Sequence, residues 1–355
     1  MAETYMTEPL IQGIDLFCGA GGLSLGLQQA GINIVLGIDN NPACKWAYEH
    51  NIHAPFLEAS VRDVEAKDLN KVWADAPYRL LAGCAPCQPF SQQRRGRDTS
   101  EEEAWDLLDE FGRLVRQTRP EFVTMENVAP LRFQPVFERF LSTLRECGYW
   151  VDYTVLKGEK HGLAQTRRRL VLVASALGSI EIPEDSGVAA PSVNDVLRGL
   201  PTLVAGQADP HDRLHYARAL SPINLARIRA SIPGGTWRDW PEELRAPCHR
   251  KASGASFQSF YGVIDGTKLG PTITTEFYNY GSGRFGHPSQ PRTLTPREAA
   301  LLQGFPRDFE FIAPWEKPRL TRLGKLIGNA VPPPFGKHVG TLIMSCVIND
   351  EVAEH

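Results

Sequence analysis

The first half of the chain alternates short apolar runs with stretches of three- and four-residue periodicity. Apolar runs at Gly13 to Phe17, Asn33 to Ile38, Arg79 to Ala82 and Glu121 to Met125 predict strands, and Trp150 to Leu156 with Leu170 to Ala174 a further β-rich pair. Helical patterns fall between them. Ser100 and Glu103 form a capping box ahead of Trp105, Leu108, Phe111 and Val115, and Val136, Phe137, Phe140, Leu141 and Leu144 line a second helix. This alternation predicts an α/β domain with a parallel sheet flanked by helices.

Beyond about Gly178 the texture changes. Pro191, Pro201, Pro210, Pro222, Pro233 and Pro241 punctuate a Gly- and Ser-rich stretch with little periodicity, which predicts a second, smaller, loop-rich domain. Helical order returns at Thr295-Pro296-Arg297-Glu298, and a last helix is expected from Pro334 to about Ile348. The expected division is 1–178 plus 322–355 for the first domain and 179–321 for the second.

At 355 residues the chain can hold two cores, and a net charge of -3 excludes a polycation that coats nucleic acid indiscriminately. Any nucleic-acid contact must be a local patch. Seven cysteines, at 18, 44, 84, 87, 147, 248 and 346, with no secretory signal or membrane-length apolar run, point to reduced thiols and a cytoplasmic protein.

Candidate chemistry gathers where apolar runs end. Ile14 to Leu16 runs into Phe17-Cys18-Gly19-Ala20-Gly21-Gly22-Leu23, a turn where backbone can approach a ligand. A dinucleotide fingerprint wants G-x-G-x-x-G, which this is not. Asp39 ends the second run at the place of a ribose-binding carboxylate, and Asp63 with Val64 lies farther on, before the third. No Lys or Arg in the turn awaits a pyrophosphate, so S-adenosylmethionine is the inferred cofactor. Farther on, Cys87 in Gly83-Cys84-Ala85-Pro86-Cys87-Gln88 and Glu126 in Glu126-Asn127-Val128 supply a thiol and a carboxylic acid, able together to add to and protonate an electron-poor ring such as cytosine. C-x-x-C also fits half a zinc knuckle or a redox pair, but no second Cys/His pair completes four ligands, and no metal is expected. Arg167, Arg168 and Arg169 precede an apolar run, and strand alternation would set Arg167 and Arg169 on one face, toward Glu126 and substrate. Cys84 is left with no chemical role.

Together these blocks resemble the DNA (cytosine-5)-methyltransferase family of the prokaryotic restriction-modification type. Asp15 to Gly22 is similar to its cofactor motif, Pro86-Cys87-Gln88 to its nucleophile, Glu126-Asn127-Val128 to its acid and Gln165-x-Arg167-x-Arg169 to its substrate-orienting strand. Arg297 to Pro306 and Gly328 to Pro333 resemble its two late motifs. The resemblance implies a Rossmann-like, S-adenosylmethionine-dependent domain with a target-recognition domain, and methyl transfer to cytosine C5 in double-stranded DNA through a Cys87–C6 adduct with the base flipped. Phe17, Gly19, Ala20, Gly21, Gly22, Leu23, Asp39, Asn40, Asp63, Val64, Pro86, Asn329 and Val331 would line the cofactor. Asn40 stands where many members carry an aromatic residue.

Ser91, Arg94, Arg95 and Arg97 match a loop that closes over DNA, and Arg250, Lys251 and Thr275 lie in the segment that would read it. A monomer acting on one short site is expected, with a cognate restriction endonuclease as a partner in the same system but no stable complex. An RNA enzyme of the tRNA-modifying branch is the rival, although the Cys-Phe-Thr element of that branch is absent, and a catalytically idle DNA-binding regulator is another. Cys87→Ser is expected to keep cofactor binding and abolish methyl transfer; methylation near the wild-type rate in a radiolabel assay would refute the assignment.

Overall fold

The computed structural model describes residues 10–86, 101–250 and 260–354. Cys87, Ser91, Arg94, Arg95, Arg97, Lys251 and the expected cap Ser100 lie outside them. The chain forms two compact units, Met1–Lys157 with Arg168–Ser186 and Val331–His355, and Gly158–Arg167 with Gly187–Ala330. The ten residues between the last two strands group with the later, loop-rich segment.

The first unit is built on seven strands, β1 (Ile11–Leu16), β2 (Asn33–Asp39), β3 (Phe56–Glu58), β4 (Tyr78–Gly83), β5 (Phe122–Val128), β6 (Trp150–Lys157) and β7 (Arg168–Ser175). They lie in the order β3-β2-β1-β4-β5-β7-β6. β1 to β5 are parallel, but β7 runs antiparallel to both β5 and β6. The parallel sheet expected of the first half is thus formed by β1 to β5, and the further pair, β6 and β7, adds one antiparallel strand to it. A parallel crossover needs a dozen residues or more, and 158–167 is shorter, so β7 folds back and inserts between β5 and β6. The three-residue β3 also went unforeseen, since only Phe56 of its side chains is buried and no alternation marks it.

Helices α1 (Gly22–Gln29), α2 (Lys45–Ile52), α3 (Ala66–Trp73), α4 (Glu101–Thr118) and α5 (Pro135–Glu146) connect the strands. Leu108, Phe111, Leu114 and Val115 of α4 and Val136, Phe137, Phe140, Leu141 and Leu144 of α5 share one core with Ile14, Leu81, Val123 and Leu172 of the sheet. In the second unit, α6 (Val193–Leu197), α7 (Pro222–Arg229), α8 (Pro296–Leu302) and α9 (Leu320–Gly328) are joined by long loops. A small core of Ile228, Trp237, Trp240, Val263 and Tyr280 holds one part of it.

The final helix, α10 (Pro333–Glu354), returns to the first unit. Phe335, Val339, Ile343 and Val347, four apart, form its buried stripe. α1 and α10 meet through glycines: a Cβ at Gly26 would overlap the Pro333 carbonyl oxygen and lie 2.6 Å from Lys337 N, and one at Gly340 would lie 2.7 Å from Ala30 Cβ. Backbone against backbone leaves no room for a methyl group.

A buried polar chain ties β1 to α1 and α2. Ser24 Oγ donates to Asp15 Oδ2 at 2.6 Å and lies 2.9 Å from the Tyr48 hydroxyl. Asp15 Oδ1 is buried with no hydrogen-bond partner among the described residues. Burial, partly offset by the Ser24 bond, pushes the Asp15 carboxyl up to about 7. Because the folded state then holds this proton more tightly than the unfolded chain, Asp15 takes stability away as pH rises from about 4 to 7, by at most about 4 kcal/mol.

Gly26→Ala is expected to destabilise the protein by about 1–3 kcal/mol, seen as a lower thermal midpoint; an unchanged midpoint would contradict the contact. In Asp15→Asn the fall of the urea midpoint between pH 5 and pH 8 should be shallower than in the wild type, following the linkage of that carboxyl. Parallel curves would show that Asp15 does not titrate in this window.

Candidate active site

Strand order reverses between β1 and β4: the chain leaves β1 for β2 and β3 on one side and returns to β4 and β5 on the other. Such a switch point opens a crevice at the carboxyl ends of parallel strands. The expected site residues of the first unit collect along that edge. The glycine turn follows β1, Asp39 ends β2, Cys84-Ala85-Pro86 follows β4 and Glu126 lies near the end of β5.

On the cofactor side, the backbone turns sharply. Phe17 adopts a φ of 57°, a left-handed conformation costing about 1–2 kcal/mol for a residue with a Cβ. Gly19 and Gly21 follow at 54° and 95°. Cys18 N donates to Ile38 O at 3.1 Å and Gly21 N to Cys18 O at 3.0 Å, which hold the turn. Asp39 braces it from β2, since Oδ2 accepts from Gly19 N at 2.9 Å and Oδ1 from Asn41 N at 2.8 Å. Burial raises the Asp39 carboxyl above its usual range, against the lowering effect of those backbone donors. A Cβ built at Gly19 meets nothing within 4 Å, so open space lies beside the turn.

Ala20, Gly21, Gly22 and Leu23 are buried, Phe17 is half-buried, and Asn40 and Pro86 are exposed. Asp63 is exposed at the end of a 3₁₀ turn (Val61–Asp63), with Val64 buried beside it. Arg113 Nη2 pins that turn by donating to the Val61 and Val64 carbonyls at 3.2 and 3.1 Å. Val331 is buried in the first unit, whereas Asn329, exposed, caps α9 in the second.

On the catalytic side stands Glu126, 4% exposed, inside β5 rather than at its end. Val128 pairs with Arg169 and Glu126 with Val171, so Arg169 lies diagonally across from Glu126 on the same sheet face. Its Nε is 3.1 Å from Glu126 Oε1. That oxygen accepts no hydrogen bond among the described residues, so the contact is an ion pair. The other oxygen, Oε2, accepts from the Cys84 thiol at 3.0 Å. Asn127, on the opposite face, donates through Nδ2 to Ala85 O at 3.0 Å and so clamps the segment that leads toward Cys87.

Arg167 departs from expectation. β7 begins at Arg168, so strand alternation does not govern Arg167, which is 2% exposed and donates to the carbonyls of Ile273 and Ala330 at 3.1 and 3.3 Å. Gln165, fully buried, donates to Leu302 O at 2.7 Å and to Gln303 Oε1 at 2.9 Å. The Gln165-x-Arg167-x-Arg169 block therefore splits: its first two members brace the second unit, and only Arg169 faces Glu126. Arg168 is exposed.

Of the expected DNA-contacting residues that are described, Arg250 is exposed on a 3₁₀ turn (Pro247–Arg250) and donates to Glu242 O at 3.0 Å. Thr275 is half-buried, with its backbone against α9 at Gly324 and Gly328. Sequence reasoning names Cys84 and Asn127 but assigns neither a contact. A buried Asn at a strand end demands a partner, which is a signal available in the sequence; the Cys84 contact, across 42 residues, leaves none.

The sequence profile of C-5 cytosine-specific DNA methylases matches residues 11–345. The Type II methylase M.HgiDII of Herpetosiphon aurantiacus is 44% identical over 335 residues, covering 93% of this chain and 94% of that protein. The Type II methyltransferase M1.BsuMI of Bacillus subtilis is 31% identical, over 93% of this chain and 79% of its own. Among solved structures, a putative DNA modification methyltransferase encoded within an E. coli prophage superposes with a TM-score of 0.73 at 21% identity, covering 95% and 99% of the two chains. The S. pombe Dnmt2 methyltransferase gives 0.63 at 17%, covering 95% and 98%. The fold and a match spanning nearly the whole sequence agree: this chain belongs to the C-5 cytosine-specific DNA methylase family.

Proposed function

We propose that the protein transfers a methyl group from S-adenosylmethionine to C5 of cytosine in double-stranded DNA, as the modification enzyme of a Type II restriction-modification system. The observation that carries this reading is the state of Glu126. A carboxyl group buried in a strand, with one oxygen held by a thiol and the other left without a hydrogen bond beside a guanidinium, is prepared for a ring that offers both a donor and an acceptor. Cytosine offers such an edge at N3 and its exocyclic amine.

The cofactor side suits a positively charged adenosine ligand. Asp15 keeps an unbonded buried oxygen, Asp39 stands at the end of β2, open space adjoins Gly19 and residues 17–24 include no cationic side chain. Asp39, Asp63 and the turn from Phe17 to Leu23 would hold S-adenosylmethionine, with Asn40, Val64, Pro86, Asn329 and Val331 around it. When bound, it supplies an electrophilic methyl group.

The chain's own groups make C5 nucleophilic. The Cys87 thiolate adds to C6, and the ring electrons move toward N3, where protonated Glu126 delivers its proton. After methylation the C5 proton leaves to a base, the C6–S bond breaks to release Cys87, and N3 returns its proton to Glu126. Arg169 keeps Glu126 in place and is assigned the cytosine carbonyl oxygen. Arg167 is assigned a bracing role. Ser91, Arg94, Arg95 and Arg97, with Arg250, Lys251 and Thr275, are proposed to meet DNA, and attack on C6 requires the base to leave the stack. Among the described residues no helix is long and apolar enough to cross a membrane. A monomer in the bacterial cytoplasm, acting apart from its endonuclease, completes the proposal.

Bisulfite sequencing of DNA from cells expressing the chain should reveal one short motif methylated at cytosine. DNA carrying 5-fluorocytosine at that position should trap a stable protein–DNA adduct when S-adenosylmethionine is present, because no C5 proton can leave. Glu126→Gln should slow single-turnover transfer by about 10²-fold or more. Methylation confined to RNA, or turnover on fluorocytosine DNA without trapping, would overturn the reading.

A further inference from the structure

We propose that Cys84 is a positioning residue for the acid: its thiol fixes Glu126 Oε2, so that Oε1 is the oxygen turned to the cytosine ring. This rests on the function proposed above. The thiol is placed by backbone on both sides. Cys84 N donates to Leu16 O of β1 at 3.3 Å, and the next carbonyl, Ala85 O, accepts from Asn127 of β5 at 3.0 Å. Between those anchors Sγ lies 3.0 Å from Oε2, while Arg169 Nε lies 3.1 Å from Oε1. The two contacts set the plane of the carboxyl group, and the buried Oε1 retains its hydrogen-bonding capacity for substrate.

A thiol suits this task for two reasons. Burial first, and then the adjacent Glu126 charge, push the Cys84 thiol well above its ordinary range, so it remains a neutral donor and does not repel the carboxylate. Like a hydroxyl, it can also donate one hydrogen bond, and so it orients the Glu126 carboxyl group. The same neutrality separates the two cysteines of the Cys84-Ala85-Pro86-Cys87 segment, since a thiol kept protonated is no nucleophile.

The test is single-turnover methyl transfer on duplex DNA by the wild type, Cys84→Ala, Cys84→Ser, Glu126→Gln and the Cys84→Ala/Glu126→Gln pair, with dissociation constants for S-adenosylmethionine and DNA measured on each. Cys84→Ala should slow transfer about tenfold with both dissociation constants unchanged, as expected when a reacting group loses its orientation. Cys84→Ser should recover most of the rate. In the Glu126→Gln background the Cys84→Ala change should cost nothing further, because the two residues act as one unit. Equal losses in both backgrounds, a Cys84→Ala rate within twofold of the wild type, or a Cys84→Ser rate as low as that of Cys84→Ala would overturn the proposal while leaving the proposed function standing. Absence of transfer by the wild type on any duplex DNA would instead overturn the function, and this inference with it.

Discussion

A carboxyl group buried within a central strand needs partners, and this requirement governs the arrangement around Glu126. An ionised side chain stripped of both water and counter-charge costs about 3–5 kcal/mol, enough to consume much of a domain's stability. Arg169 meets the requirement only because β7 inserts antiparallel beside β5. Had the chain continued its parallel crossovers, no residue of the Arg167–Arg169 run could have faced the acid. The short connection after β6 thus has a chemical consequence, in that it sets a guanidinium diagonally across from Glu126.

The cofactor side is organised by a different constraint, close approach of backbone. α10 packs on α1 without side chains at Gly26, Gly336 and Gly340, and α1 begins directly after the glycine turn. The last helix and the glycine turn are consequently parts of one packed body. Beneath the turn, the Asp15–Ser24–Tyr48 chain holds a carboxyl group whose proton is retained to about pH 7. Such a group is costly to stability as pH rises.

A single sequence block can serve two bodies. Gln165 and Arg167 bond carbonyl and amide groups within the second unit, and Arg169, two residues on, belongs to the seven-stranded sheet of the first. Read from spacing, the two arginines looked equivalent. They differ because the border between units falls at 167/168, where strand geometry begins.

The sequence by itself determined the α/β alternation, the glycine turn and the carboxylates Asp39 and Glu126 at or near strand ends, because apolar periodicity and turn chemistry are local and leave their mark on adjacent residues. It also marked the proline-rich stretch as unlike the rest, for the same reason. Strand direction after β5, the separate fates of Arg167 and Arg169 and the contact of Cys84 with Glu126 were decided by tertiary structure alone. Each depends on which segments become neighbours across 40 residues or more, or on where a strand starts, and such proximity is set by packing of the whole sheet rather than by any pattern along the chain.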